Sequence, residues 1–302
     1  MKTALITGGS GMVGTALSAL LLEKGFIVRH LSTRGGRRKL PNGIEVFPWS
    51  PEAGTMDAAA LEGVNYVFHL AGASISGRWT KAYKQEIRDS RVKSAELLFK
   101  TIEQMTQRPE KIISASAVGI YPCSLERVYT ESDKAASNFL GDVCVEWEAG
   151  VARFTKLGMK EARVRIGIVL SRHGGFLPVV ARPVRLFAGT PLGSGKQWIP
   201  WIHLDDLTRI FVHAAETDIS GPINAGGVEA ATQWQFTKAL GKVLRRPVWP
   251  IPVPAFLLRL ILGESAQLAL KSTRVSEKKL LDSGFAFQFR DLEEALREEL
   301  FR

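Results

Sequence analysis

The sequence has few cysteines, scattered histidines and no long apolar run, and each lack excludes a class of protein. Two cysteines, Cys123 and Cys144, in 302 residues are no disulfide framework, so a reduced, cytoplasmic protein is expected. The five histidines stand singly without zinc-ligand spacing, and no metal site is predicted. No apolar run approaches the roughly 18 residues of a membrane span. The N-terminus, with one lysine before a predicted strand, also lacks a signal-peptide pattern, so no membrane partner is expected.

Acidic residues are outnumbered by basic ones, and the net charge is +10. Such an excess is typical of nucleic-acid-binding proteins, but also of basic enzymes that handle phosphorylated ligands. The basic residues are spread along the chain, with one local cluster at 34–39 and no accompanying nucleic-acid-binding motif. The sequence therefore favours a small-molecule partner over nucleic acid.

Short apolar segments alternate with helical ones through the first 170 residues, which predicts an α/β protein with a Rossmann-type, doubly wound parallel sheet. Each predicted strand is apolar, as strands covered on both faces should be. The predicted strands are Thr3–Thr7, Phe26–Leu31, Ile44–Phe47, Tyr66–Ala71, Lys111–Ala115 and Arg163–Leu170, and the helices are Met12–Glu23, Trp79–Thr106 and Asn138–Leu157.

The alternation of predicted strands and helices ends after Ser171, where glycine-rich loops precede a mostly helical C-terminal region. Asp205–Glu216 is predicted as a helix and Pro222–Asn224 as a further strand. We therefore expect a nucleotide-binding domain over 1–170 and 201–225. A smaller, mostly helical substrate part is expected over 171–200 and 226–302, at the carboxyl ends of the strands.

A glycine-rich turn, Gly8-Gly9-Ser10-Gly11-Met12-Val13-Gly14, separates the first predicted strand from the first helix. This architecture can hold the pyrophosphate of a dinucleotide against free backbone N–H groups at the helix N-terminus. A plain tight turn between strand and helix is the alternative, but the strand before and the helix after favour the dinucleotide.

The segment after the second predicted strand contains no Asp or Glu between Lys24 and Ile44. An acid there would bond the adenosine ribose of NAD and repel the 2′-phosphate of NADP. The chain instead has Ser32-Thr33-Arg34, with three further basic residues up to Lys39. Because arginine pairs well with phosphate, the sequence predicts NADP(H). A solvated basic loop is the alternative.

Several motifs together resemble the extended short-chain dehydrogenase/reductases, and within them an atypical branch of NAD(P)-dependent epimerase-like proteins, the sugar-nucleotide epimerase branch, which has its own C-terminal segment. They are Thr7–Gly14, His69-Leu-Ala-Gly-Ala73, Ser114-Ala-Ser-Ala-Val-Gly119, Arg165–Leu170, Gly193–Trp198, Trp201–Asp206 and Gly284-Phe-Ala-Phe. The resemblance implies hydride transfer at a carbinol or carbonyl carbon of a small substrate, with a nucleotide-sugar as one candidate. A non-catalytic NADP(H)-binding sensor or interaction protein is the alternative, and a monomer or homodimer is expected.

The motifs and the resemblance assign a set of cofactor-binding candidates. For Arg91 an ion pair with a neighbour is an equal alternative, and for Trp49 a packing role. The candidates are Gly8, Gly9, Ser10, Gly11, Met12, Val13, Ser32, Thr33, Arg34, Trp49, Leu70, Ala71, Gly72, Ala73, Arg91 and Ser114.

The resemblance makes Ser116 the group that bonds the reacting substrate oxygen, with a turn or cap as the alternative. The Tyr-x-x-x-Lys pair that normally exchanges the proton is absent: by register, Leu140 and Cys144 stand in its place. Cys144 is kept as a catalytic candidate, although a buried packing role is favoured. Asp142 and Tyr121 are further proton carriers to consider.

The predicted substrate cleft includes the loop at 189–198, which lacks the glycine and hydroxyl spacing of a phosphate-binding Walker loop. Its Lys196, Gln197 and Trp198 can supply a cation, an amide and an aromatic face. The other predicted cleft residues are Ser74, Tyr121 and Trp201.

Overall fold

The computed structural model of the protein describes residues 1–226 and 229–301. Gly227, Val228 and Arg302, which belong to the predicted substrate part, lie outside the described residues. The helices are α1 (Met12–Glu23), α2 (Lys81–Glu103), α3 (Phe139–Ala152), α4 (Phe176–Arg185), α5 (Leu204–Glu216), α6 (Gln233–Leu244), α7 (Ala255–Leu262), α8 (Gln267–Leu270), α9 (Lys278–Asp282) and α10 (Leu292–Phe301). The strands are β1 (Thr3–Thr7), β2 (Ile27–Ser32), β3 (Arg38–Lys39), β4 (Glu45–Ser50), β5 (Thr55–Met56), β6 (Tyr66–His69), β7 (Lys111–Ala117), β8 (Val128–Tyr129), β9 (Lys160–Ile166), β10 (Ile168–Leu170), β11 (Trp198–Ile199), β12 (Trp201–His203), β13 (Gly221–Ala225), β14 (Ala231–Thr232) and β15 (Arg274–Val275).

The central sheet confirms the predicted α/β fold with a Rossmann-type parallel sheet. Its strand order is β13-β9-β7-β6-β1-β2-β4, and all of these neighbours pair in parallel. The short strands β3 and β5 add antiparallel pairs to β4. The chain moves from β1 outward to β4 and then returns to β6 on the other side of β1. This reversal opens a crevice at the carboxyl ends of β1 and β6, where such folds bind ligands.

Helices cover the sheet because its strands are apolar on both faces. The β1 strand is buried throughout, and α1 packs with α5 while α2 packs with α3. Side chains fix where these helices begin: Thr80 caps α2 by accepting from the N–H of Tyr83, and Asn138 caps α3 by accepting from Gly141. The loops before α2 and α3 are thereby held at the crevice.

The sequence predictions differ from the structure where the chain leaves the sheet. Arg163–Leu170 was predicted as one strand but forms two, β9 and β10, because the chain bends at Gly167. The Gly167 N–H donates to Ala225 in the sheet, whereas the next N–H, of Ile168, donates to the Pro200 carbonyl, and β10 then pairs with β12. A Cβ at Gly167 would lie 2.1 Å from the Pro200 oxygen. The helix predicted to Leu157 ends at Ala152 and continues as a 3-10 turn to Leu157.

A second hydrophobic core lies beside the sheet, built by α4, α6, α10 and the chain around β10 to β12. The segment after α8 returns to the carboxyl end of β7: Lys271 donates to the Gly119 carbonyl, and Ser272 donates to that of Ser124. The C-terminal part thus closes one side of the crevice. The predicted division into two domains stays a prediction.

Among residues 1–226 and 229–301, no helix combines the length and apolarity needed to cross a membrane. The same residues contain no group of three or more His, Cys, Asp or Glu side chains arranged to hold a metal ion.

Candidate functional site

The crevice contains a large outer cleft of about 1200 Å³, formed by the loops after β1, β2 and β6 together with α2. It brings together eleven of the predicted cofactor-binding residues, although they come from four separate stretches of sequence. These are Gly8, Gly9, Ser10, Gly11, Ser32, Thr33, Arg34, Trp49, Ala71, Gly72 and Ala73. The other five do not line it: Leu70 and Val13 pack on the core, Met12 lies near Gly174, Ser114 is buried in β7, and Arg91 lines a second pocket.

In the glycine turn at the floor of the outer cleft, Gly8 and Gly14 lie so close to backbone atoms that a side chain has no room. Gly8 has a φ of +72°, and a Cβ on it would lie 2.9 Å from the Leu70 oxygen. A Cβ on Gly14 would lie 2.3 Å from the Gly8 oxygen. Gly11 then occupies the N-cap position of helix α1, which has no side-chain cap and no acidic residue in its first turn. Its positive end is thus left available to an anion in the cleft.

The loop after β2 presents guanidinium groups to the outer cleft. The Ser32 hydroxyl accepts from the Arg34 N–H, and Arg38 donates to the carbonyls of Arg34 and Gly36. Within residues 1–226 and 229–301, the exposed Arg34 guanidinium forms no hydrogen bond or ion pair. Three carboxylates, those of Glu52, Glu86 and Asp89, also line the outer cleft, and Glu52 and Asp89 pair with Lys93.

His30 lies beneath the glycine turn, and the sequence analysis did not identify it. A Cβ on Gly9 would lie 2.5 Å from its imidazole, and its Nε2 is 2.8 Å from the Ser18 hydroxyl. Burial, with a smaller contribution from Arg38, lowers the pKa of His30 to about 4, so the ring is neutral at pH 7. Nothing in the spacing of a lone histidine on β2 signals this role, which depends on the sheet bringing β2 beside the turn.

A smaller inner pocket of about 180 Å³ adjoins the outer cleft. Its walls come from the chain after β7, from α3, from the bend at Gly167 and from the C-terminal part. Its lining is mostly aliphatic and aromatic, including Ile75, Val143, Trp147, Phe176, Trp198 and Leu268. The charged residues on its wall are Arg91 and Lys271.

Arg91 stands at the junction of the outer cleft and the inner pocket. Its guanidinium donates to the carbonyls of Ile87 (2.8 Å) and Ala73 (3.1 Å) and lies over the Trp147 ring. In the described part of the chain it has no carboxylate partner, and burial lowers its pKa. The ion pair with a neighbour, considered for Arg91 as an alternative, is not formed in the described part of the chain, and the nearby Asp89 pairs with Lys93.

Lys271 is the second cation of the inner pocket, and the sequence analysis missed it. Its Nζ donates to the Gly119 carbonyl at 2.8 Å, and burial lowers its pKa. Lys271 has no ion pair among residues 1–226 and 229–301. Since it lies 152 residues along the chain from Gly119, no local pattern could have placed it here.

Leu140 and Cys144, which occupy the register of the missing Tyr and Lys, both line the inner pocket one turn apart on α3. Burial raises the pKa of the Cys144 thiol to about 11, with the nearby Glu148 adding to the effect. The thiol is therefore protonated at pH 7, which supports the packing role over a catalytic one.

Ser116 lines neither the outer cleft nor the inner pocket, and the role expected for it stays a prediction. It is buried, and its hydroxyl donates to Glu148 at 2.6 Å. Glu148 also accepts two bonds of 2.8 Å from Arg165. Arg165 in turn donates to the Tyr121 hydroxyl, which donates to Asn224. We call these five residues the buried network.

The remaining predicted cleft residues divide between the inner pocket, the protein interior and the surface. Trp198 lines the inner pocket. Tyr121 and Trp201 are fully buried instead: burial raises the pKa of Tyr121 to about 12, and the Trp201 indole donates to the Glu229 carbonyl within the second core. Gln197 is also buried, donating to the carbonyls of Leu192 and Ala269. Lys196 and Ser74 are exposed and line neither cavity.

The sequence profile of the NAD dependent epimerase/dehydratase family matches residues 4–226, which is more than half of the chain. The chain belongs to this family. The profile of a domain of unknown function matches residues 253–299, the segment that carries Lys271. The epimerase family protein YfhF of Bacillus subtilis is 36% identical over 96% of this chain and 95% of its own length. A chloroplastic SDR39U1 homologue of Arabidopsis thaliana is 33% identical over 98% of this chain and 86% of that protein.

Solved structures of other family members extend the similarity to the fold. The human epimerase family protein SDR39U1, crystallised with NADPH, superimposes with a TM-score of 0.88 at 30% identity and covers 98% of both chains. A nucleoside-diphosphate sugar epimerase of Corynebacterium glutamicum gives a TM-score of 0.80 at 31% identity, over 99% of this chain and 58% of that one. The UDP-glucose 4-epimerase of Thermotoga maritima, at 19% identity and a TM-score of 0.78, shows the shared fold alone. The expected epimerase-like family is thereby confirmed.

Proposed function

We propose that the protein is an NADP(H)-binding oxidoreductase or epimerase that transfers a hydride at a carbinol or carbonyl carbon of a small substrate. One observation carries the cofactor assignment. The uncapped start of α1 and the guanidinium groups of Arg34 and Arg38 line one cleft, while the end of β2 offers it no carboxylate. The NADPH bound to the human relative supports the same assignment.

The residues of the outer cleft fit the parts of such a dinucleotide. The backbone N–H groups at the start of α1 would hold the pyrophosphate, with the glycine turn leaving room for its approach. Ser32, Arg34 and Arg38 would hold the 2′-phosphate, because guanidinium groups bond two phosphate oxygens at once. When bound, the nicotinamide supplies or accepts the hydride.

The inner pocket is the proposed place of the reacting substrate carbon. Its apolar walls would exclude water from the reaction, and Arg91 and Lys271 can orient a substrate there through their N–H groups. An epimerase returns the hydride to the opposite face of the same carbon, whereas a reductase releases an oxidised cofactor. Ser116 has no part in the proposal, since its hydroxyl is bonded to Glu148.

Coenzyme titration tests the cofactor assignment. NADPH and NADH are titrated by calorimetry into the wild type and Arg34→Met. Arg37→Met is the matched control, because Arg37 packs over the Phe47 ring and does not line the cleft. We expect the wild type to favour NADPH and Arg34→Met to weaken NADPH binding roughly tenfold with little change for NADH. Equal affinity for the two coenzymes in the wild type would overturn the proposal.

A second candidate, a non-catalytic NADP(H) sensor or interaction protein, is favoured by the wall of the inner pocket. Leu140 and Cys144 cannot exchange protons at pH 7 as Tyr and Lys do, and Ser116 is held in the buried network. The two candidates are separated by following NADPH absorbance with a panel of carbonyl compounds and nucleotide-sugars. Turnover supports the enzyme, whereas tight NADPH binding without turnover of any compound supports the sensor.

A further inference from the structure

We propose that the inner pocket binds a small organic anion with an apolar body, of the monocarboxylate class, whose carboxylate is held by Arg91 and Lys271. The inference rests on the proposed function, since it names the substrate class of the same site. It departs from the nucleotide-sugar, which the resemblance offers as one candidate substrate.

The charge of the inner pocket has one sign. Its two charged residues, Arg91 and Lys271, are cations. The ionisable groups near enough to affect the pKa of Arg91 are Cys144 and Tyr83. Those that affect the pKa of Lys271 are Cys144 and Cys123. No carboxylate of the described residues lines the pocket or pairs with either cation. Arg91 and Lys271 are partly buried beside one cavity without a carboxylate partner, which is unfavourable, and a bound anion would reduce that cost.

Both cations keep donors for a ligand. Lys271 uses one of its three N–H groups on the Gly119 carbonyl, and Arg91 uses two of its five on the carbonyls of Ile87 and Ala73. These backbone bonds fix the two heads at the wall of the pocket. A carboxylate held by both heads would accept from the donors that remain free on each.

The rest of the wall fits an apolar body and not a sugar. Hydroxyl groups of a sugar require hydrogen-bond partners, and the pocket supplies few uncharged ones. Gln233 is already satisfied, since its Oε1 accepts from the Leu192 N–H and its Nε2 donates to Thr237. The volume of about 180 Å³ is also below the roughly 300–1,000 Å³ of sites for larger ligands.

The test is calorimetric titration of the protein saturated with NADP⁺. The probes are 4-methyl-2-oxopentanoate, phenylpyruvate and hexanoate, with the neutral 4-methyl-2-pentanone and UDP-glucose as comparisons. Each is titrated into the wild type, Lys271→Met, Lys271→Arg and the control Lys134→Met, whose lysine is exposed and does not line the pocket. NADPH affinity is measured for all four proteins.

We expect at least one acid to bind the wild type and Lys134→Met while the neutral ketone and UDP-glucose do not. Lys271→Met should weaken acid binding roughly tenfold or more, with Lys271→Arg restoring part of it and NADPH affinity unchanged throughout. If none of the three acids binds the wild type, or if Lys271→Met binds them as tightly as the wild type does, the inference is overturned and the proposed NADP(H) binding is unaffected. If the wild type does not bind NADPH, the proposed function is overturned. The acids are then titrated into the protein without nucleotide, and that result decides the inference.

Discussion

The Ser116 hydroxyl donates to the Glu148 carboxylate over 2.6 Å inside the protein, on the side of β7 covered by α3. The carboxylate is neutralised by Arg165, which approaches it with two nitrogens. A serine at the end of the fifth long strand, assigned by resemblance to the substrate oxygen, thus belongs to a buried structural assembly. The charged side chains that line the inner pocket come from α2 and from the C-terminal part.

This relationship predicts that Ser116→Ala lowers stability and leaves coenzyme binding unchanged. Losing a hydrogen bond to a charged, buried acceptor should reduce the free energy of unfolding by about 1.5–3 kcal/mol. Glu148→Gln should cost more, about 3–5 kcal/mol, because Arg165 would be left buried without its anion. Urea unfolding measures both, with the exposed Ser220→Ala as a control. Undiminished stability of Ser116→Ala, together with lost NADPH binding or turnover, would contradict this role.

The glycine turn gives a second prediction, which depends on backbone geometry. Gly14→Ala would place a Cβ 2.3 Å from the Gly8 oxygen, so α1 has to move away from the turn. We expect about 1–3 kcal/mol of destabilisation and weaker NADPH binding. Gly36→Ala is the control, because a Cβ there meets no atom within 4 Å and no positive φ is required. Both are measured by thermal unfolding and NADPH titration, and equal behaviour of the two variants would contradict the packing argument.

Eleven of the predicted cofactor-binding residues line the outer cleft, and the sequence could group them because the determinants of this cleft are local. The glycine turn lies between adjacent elements of the chain, and the basic loop directly follows β2. Once strands alternate with helices, the parallel sheet brings both to one edge. The elements that were misjudged are those where the chain leaves the sheet, as at Gly167, which the apolar run from Arg163 to Leu170 does not reveal.

The inner pocket could not be predicted because its determinants are distant in the sequence. Lys271 reaches Gly119 across 152 residues, and Arg91 faces the pocket through contacts with Ile87 and Ala73 that no spacing specifies. A resemblance locates residue types by register, and the two residues it singles out in this way, Leu140 and Cys144, both line the inner pocket. It says nothing about side chains such as Ser116, whose partner is chosen by tertiary packing.

Two buried histidines predict how stability depends on pH. Burial lowers the pKa of His69 to about 4, and the same holds for His30, whereas an unfolded histidine titrates at 6.5. Below pH 6.5 the unfolded protein binds a proton at each histidine while the folded protein does not, so the free energy of unfolding falls as the pH falls from 6.5 towards 4. Each histidine should lower the free energy of unfolding by about 1.4 kcal/mol per pH unit in that window.

The variant His69→Gln measures how much His69 contributes to the pH dependence of the free energy of unfolding. Its ring contacts the hydroxyls of Thr7 and Ser94, which an amide can also bond. Urea unfolding at pH 7.5, 6.0 and 5.0 should show a shallower loss for His69→Gln than for the wild type. Parallel pH profiles of the two proteins would show that His69 titrates alike in the folded and unfolded states.

The two cysteines predict a sharp difference in reactivity. Cys123 is exposed, whereas Cys144 is buried with its pKa raised to about 11. At pH 8 only about one in a thousand Cys144 thiols is ionised, and the thiolate is the form that reacts. Iodoacetamide should therefore modify native protein once, at Cys123, and modify Cys144 only after unfolding. Peptide mass spectrometry identifies the site, and native Cys123→Ser should stay unmodified. Rapid alkylation of Cys144 in that variant would mean that its thiol is ionised in the inner pocket, and would restore it as a candidate for proton transfer.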